Sequence, residues 1–200
     1  MINIVMFHYY KEPKVISDFL TEDEIEYIKK ESINKLEPSK VGDHGAISHG
    51  VRKSETAILE LNDPIIISVA RKCAGITNKP ITHCEKLQVC RYKEGGHYSH
   101  HHDIGHKDID SVRLYTFIIA LNDYEGGETD FPELNVEYKL KKGDALFFHT
   151  LDNHEIFTSL ALHGGKPVKS TEKWICNLWV WSRPIPELHT VYTLKNLIPS

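Results

Sequence analysis

The chain is expected to fold as an α+β domain, two helices followed by a strand-rich core that forms a sandwich or barrel. Three observations predict this class. Segments carrying helix start and stop signals fall in the first eighty residues or so. From residue 83 onward the apolar period shortens, giving runs rich in β-branched and aromatic residues. Glycine-bearing turns at Gly95-Gly96, Gly126-Gly127, Gly143 and Gly164-Gly165 separate most of those runs.

Taken in order, "FLTEDEIEYIKKESINKL" predicts the first helix. Thr21 is its N-cap, Glu24 completes a capping box, and Leu20 with Ile25 forms a hydrophobic staple around it. "NDPIIISVARKCAG" predicts the second, with Asp63 as cap, Pro64 at the first helical position and Gly75 just past the end. "EKLQVCRY", "VRLYTFIIALN", "VEYKL", "DALFFHT" and "KWICNLWVW" are the predicted strands. No repeat, low-complexity segment or linker interrupts them. The expectation is one domain over 1–200: a helical part to about residue 80, a core over about 81–182, and a tail from 183 to 200. That tail, "RPIPELHTVYTLKNLIPS", could pack back on the domain or dock on a partner.

Composition narrows the function classes. A formal net charge of -4 with no basic run argues against a nucleic acid gripped by its phosphates. No apolar stretch approaches the roughly 20 residues needed to span a bilayer, and "MINIVMFHYYKEPK" lacks the basic start and cleavage site of a secretory leader. Cys73, Cys84, Cys90 and Cys176 are scattered without CxxC spacing, which suits reduced thiols in a cytoplasmic protein. The oligomeric state is left open.

The chemistry is concentrated in "HYSHHHDIGH", residues 97 to 106. In an extended chain, side chains at i and i+2 share a face. His101 and Asp103 then point one way, while His100 and His102 point the other. One imidazole and one carboxylate make two ligands. A histidine from elsewhere would complete a two-His, one-carboxylate face with open metal positions, suited to non-haem Fe(II) oxygen chemistry. His149, His154 and His163 compete for that place. His163 is favoured because Lys173 follows it by ten residues at the start of a strand, and His154 is kept as the alternative. An inward Lys173 would be costly to bury without an anion, and a dicarboxylate co-substrate chelating the same metal would supply one. Ile175, Asn177, Trp179 and Trp181 share its face by parity, a mostly apolar set that points to the interior.

"VRKSETAIL", "LQVCRYKEGGHYSHHHD", "VRLYTFIIALNDYEGGETDFPE", "KKGDALFFH", "LHGGKPV" and "EKW" occur in this order between about residues 52 and 181. Together they resemble the prolyl 4-hydroxylase group of 2-oxoglutarate- and Fe(II)-dependent dioxygenases. The resemblance implies a double-stranded β-helix (jelly roll) core with helices packed on one side. It implies that His101, Asp103 and His163 bind Fe(II), and that Lys173 pairs with the distal carboxylate of 2-oxoglutarate beside Tyr92 and Thr129. It further implies substrate contacts from Arg52, Arg113 and Tyr98, O2 as second co-substrate, ascorbate as a reductant, and a proline-containing polypeptide as substrate. His149, Lys166 and Glu55 depart from the family's pattern and are expected in or near regions that face the substrate.

Two other readings compete. One is the same oxygenase chemistry on another residue, a free amino acid or an alkylated base; "CNLWVW" is faintly similar to the final strand of base-repair enzymes, but their arginines are absent there. The other is a non-catalytic, metal-binding jelly-roll module, which a broken ligand triad or a missing Lys173 would have favoured.

Overall fold

The structure, a computed structural model, describes residues 9–41, 46–108 and 111–185. Both predicted helices form. α1 spans Glu22–Ile33, with Glu24 N–H donating to Thr21 Oγ1 and Thr21 N–H donating to Glu24 Oε2, the reciprocal capping box. Leu20 and Ile25 are both buried in the core beneath it. α2 spans Pro64–Thr77, and Asp63 Oδ1 accepts from the N–H groups of Ile65 and Ile66. It runs two residues past Gly75, which lies inside the helix. The stop is instead Asn78, left-handed at φ 52°, whose short polar side chain tolerates that conformation. Lys72 on α2 ties the helices together by donating to Glu24 Oε2 at 2.6 Å.

The strands are β1 (Lys14–Ile16), β2 (Glu37–Pro38), β3 (Glu55–Leu59), β4 (Leu87–Tyr92), β5 (Tyr98–His101), β6 (His106–Asp108), β7 (Ser111–Ala120), β8 (Thr129–Phe131), β9 (Val136–Tyr138), β10 (Ala145–His149), β11 (His163–Gly165) and β12 (Lys173–Trp181). They form an eight-stranded sheet in the order β1-β10-β7-β12-β4-β3-β2, with β6 on β7, and a four-stranded sheet in the order β5-β11-β8-β9. All pairings are antiparallel. The expected jelly roll with helices on one side is therefore present. Strands β1 to β3, from the part read as helical, extend the large sheet at both edges.

Period-2 alternation assigns the two faces of the large sheet. Phe117 and Ile119 of β7 and Cys176, Leu178 and Val180 of β12 pack with the helices. Ile118 and Ala120 of β7 and Ile175 of β12 face the small sheet, in a second cluster with Phe131 and Phe148. Every residue of β12 is buried, so a central strand covered on both faces gives no alternation in polarity at the sequence level. The parity argument fails at one position. The register shifts between Val180 and Trp181, and Trp181 joins the helix-side core instead of Lys173's face. No helix of the described residues is long and apolar enough to cross a membrane. The charge and leader readings that fell on the first eight residues, and all but the start of the tail, lie outside the described residues.

Candidate active site

A cavity of about 590 Å³ opens between the two sheets, and cross-strand pairs furnish most of its wall. His101 on β5 and His163 on β11 are direct antiparallel partners, so both rings stand on one face of the small sheet. Lys173 on β12 and Tyr92 on β4 are partners in the same way on the large sheet. Thr129 on β8 pairs with Gly165 of β11 and is buried in the same wall. β5 ends at His101, yet Asp103 shares its side as the i+2 rule anticipates, with Oδ1 3.4 Å from His101 Nε2 and Oδ2 3.5 Å from His163 Nε2.

The donor set is prepared to ligate a cation. His101 Nδ1 lies 2.9 Å from the Ser99 carbonyl and His163 Nδ1 lies 3.1 Å from the Ala161 carbonyl. A carbonyl only accepts, so each Nδ1 carries a proton, and Nε2 is the atom that the neutral ring offers as a ligand. One ligand atom from each of His101, Asp103 and His163 lies within 4.8 Å of the other two. Burial pushes the His163 imidazole down to about 4, so it is neutral at pH 7. Burial works to raise the Asp103 carboxyl, but His163, His101 and Arg113 outweigh it and hold the group well below the usual carboxylate range. Two imidazoles and one carboxylate on one face fit Fe(II) with open positions for other ligands.

Lys173 is 4% exposed. Its ammonium donates to the Gly127 carbonyl at 2.6 Å and lies 4.9 Å from the centre of the Tyr124 ring. Burial pulls it down from 10.5 to about 8. Gly127, at φ +65°, makes the fit possible, since a Cβ there would sit 3.1 Å from Lys173 Cδ. Tyr92 is buried beside it, its hydroxyl pushed up to about 12, chiefly by burial.

The competing histidines lie elsewhere. His154 is exposed against Tyr9, and His149 lines a separate small cavity beside Tyr115. His100 turns away to pair with Asp130 at 2.8 Å. His102 does not point simply to solvent: its ring packs 4.6 Å from Phe157. The side chain of His106, the last residue of that stretch, lies outside the described residues.

Of the residues expected to meet substrate, Tyr98 stacks on His101 with ring centroids 3.7 Å apart, and Arg52, which lines the same cavity, lies 4.6 Å from the Tyr98 ring. Arg52 is buried and donates to Ser54 Oγ and Cys90 Sγ. Arg113 also lines the cavity, but its Nε and Nη2 are held by Glu85 at 2.5 and 3.1 Å. The three departing residues do not line it. His149 is in the separate cavity, Lys166 pairs with Glu137, and Glu55 pairs with Arg91. Reasoning from sequence missed Thr116, whose hydroxyl donates to Asp103 Oδ2 at 2.8 Å; a threonine within a β run carries no signal of its own.

Residues 87–181 match the sequence model of the 2OG-Fe(II) oxygenase superfamily. A prolyl 4-hydroxylase homologue of Acanthamoeba polyphaga mimivirus is 32% identical over 185 residues, covering 87% of this chain and 76% of the relative. The chain belongs to the prolyl 4-hydroxylase family. It is a 2-oxoglutarate- and Fe(II)-dependent dioxygenase. The crystal structure of the viral collagen prolyl hydroxylase of Paramecium Bursaria Chlorella virus-1, a 2-oxoglutarate complex, superposes with a TM-score of 0.71 at 32% identity. That match covers 86% of this chain and 97% of the viral one. The chicken prolyl 4-hydroxylase subunit alpha-2 is 33% identical over 178 residues, and this chain spans 33% of its length. The dioxygenase core is thus shared with a much longer subunit.

Proposed function

We propose that this enzyme hydroxylates a prolyl residue of a polypeptide, with His101, Asp103 and His163 holding Fe(II). Lys173, Tyr92 and Thr129 receive the distal end of 2-oxoglutarate. The observation that carries this reading is a His-Asp-His donor set sharing one cavity with a buried lysine whose ammonium donates to a carbonyl and lies against two aromatic faces. A buried cation in that state favours a carboxylate partner, and lysine meets it as a point charge.

When bound, iron and 2-oxoglutarate supply the oxidising chemistry: O2 converts the co-substrate to succinate and CO2, and one oxygen atom is inserted into a substrate C–H bond. The chain's own residues do the rest. Ser99 and Ala161 carbonyls fix both ligand imidazoles in the ligating tautomer, and Tyr98 fixes the plane of the His101 ring. Ile118 and Ile175 line the cavity beside Lys173 and exclude water from the co-substrate's methylene stem. The likeness to a viral enzyme named as a collagen prolyl hydroxylase, over nearly its whole length, supports a polypeptide substrate. An extended polyproline II segment also leaves its carbonyls free for side-chain donors lining the cavity, such as the Tyr98 hydroxyl.

The test is incubation of proline-rich peptides with enzyme, Fe(II), 2-oxoglutarate and O2, followed by mass spectrometry and succinate release. A gain of one oxygen on proline, lost in His101→Ala, is expected. Stimulation of succinate release by free proline or another amino acid, with none by peptides, would reject the polypeptide. Absence of any turnover above the His101→Ala control would reject an active oxygenase.

A further inference from the structure

We propose that Thr116 and the Arg113–Glu85 pair are positioning residues that fix Asp103 for the metal, one through its carboxylate and the other through its backbone. The proposal rests on the reading of Asp103 as an iron ligand. Asp103 lies beyond the last ladder position of β5, so strand pairing does not hold it as it holds His101 and His163. Two other contacts take over that task.

Thr116, fully buried in the middle of β7, donates its hydroxyl to Asp103 Oδ2 at 2.8 Å. A hydrogen bond to an ionised carboxylate in a buried site is charge-assisted and strong. It stops rotation of the carboxylate and leaves Oδ1 facing His101 Nε2. Arg113, on the same strand, directs Nη1 at the Asp103 carbonyl at 3.4 Å. Its guanidinium lies against Gly105, where an added Cβ would sit 3.3 Å from Cζ, and 4.3 Å from the centre of the Trp179 ring. Glu85 clamps that guanidinium with both carboxylate oxygens, and its Oε1 also accepts from Trp181 Nε1 at 2.5 Å. With Nε and Nη2 engaged by Glu85 and Nη1 turned to the ligand loop, Arg113 acts on the iron site through the Asp103 backbone.

Titration of the full chain with Mn2+, followed by the electron paramagnetic resonance signal of the free ion, tests this without turnover. Thr116→Val removes the hydroxyl and keeps the shape, and should weaken Mn2+ binding about 10- to 100-fold. Thr116→Ser keeps the hydroxyl and should restore most of the affinity. Glu85→Gln loosens Arg113 without touching a ligand, and should weaken binding about tenfold. If Thr116→Val fails to fold in a metal-free melt, Glu85→Gln decides alone. Unchanged affinity in both variants, or equal losses in Thr116→Ser and Thr116→Val, overturns the proposal; loss in one variant alone strikes out the other residue. Asp103→Ala is the control, and parental affinity there would mean that the ligand assignment itself has failed.

Discussion

Replacing Lys173 with methionine separates the roles of a buried charge in folding and in co-substrate binding. Burial lowers the ammonium from 10.5 to about 8, which corresponds to about 3 kcal/mol against the charged form in the free protein. Lys173→Met removes that penalty and fills most of the same space. With 2-oxoglutarate bound, the same change leaves a carboxylate buried without its counter-charge, a loss on the order of 3–5 kcal/mol. The 2-oxoglutarate concentration for half-maximal succinate formation should rise by about two to four orders of magnitude. The melting temperature of the metal-free protein should not fall. Unchanged dependence on 2-oxoglutarate would refute the pairing, and a large loss of stability would show that the lysine serves the fold. The pH dependence has a definite sign. The folded value lies below the unfolded one, so between pH 8 and 10.5 the unfolded chain binds the extra proton and this group's contribution to stability rises with pH. Co-substrate binding runs the other way, weakening as pH climbs through about 8 and the ammonium is lost.

His101→Ala and Asp103→Ala should abolish iron-dependent succinate release with the circular dichroism spectrum nearly unchanged, whereas His100→Ala, whose ring pairs with Asp130, should remain active; equal losses at positions 100 and 101 would reverse the assigned faces. His163→Ala should be inactive and His154→Ala at most impaired, and the opposite order in the same assay would move the site. Gly127→Ala forces a side chain into the left-handed region and toward Lys173 Cδ, at about 1–2 kcal/mol. It should lower the melting temperature and raise the 2-oxoglutarate requirement, and no change in either would mean that the turn adapts freely.

The helices were legible because their signals are local: Thr21 with Glu24 and Asp63 with Pro64 act within one turn of chain. Gly75 misled because glycine is tolerated inside a well-buried helix, while the left-handed stop fell to Asn78. His101 with Asp103 was legible from spacing alone. The partnerships His101 with His163 and Lys173 with Tyr92 were not, since pairing across a sheet joins positions far apart in sequence; the spacing to Lys173 favoured His163, and the resemblance to a family assembled the set. Short strands such as β8 and β11 carry too few residues to show a period. The shift at Trp181 is invisible because a bulge changes facing without changing composition. The clamp on Arg113 was not legible either, because an arginine beside an apolar strand gives no sign of the glutamate that holds it.

The proposed ligand face is built as the end of a hydrophobic core. His163 is 3% exposed, and its ring lies 4.7 Å from Phe148 and 5.5 Å from Phe131. Those two rings pack edge to face with each other between the sheets. The residues that space the two sheets therefore also hold the imidazole, so its position inherits the rigidity of close packing. The same apolar surroundings keep it neutral, which is the form with a lone pair to give. On the other sheet, Ile118 and Ile175 continue that core up to Lys173, where packing gives way to a cavity and a charge. The proposed metal ligands on the small sheet and Lys173 on the large one are thus set apart by one continuous cluster. A bound 2-oxoglutarate would join the two sheets at the point where that cluster ends.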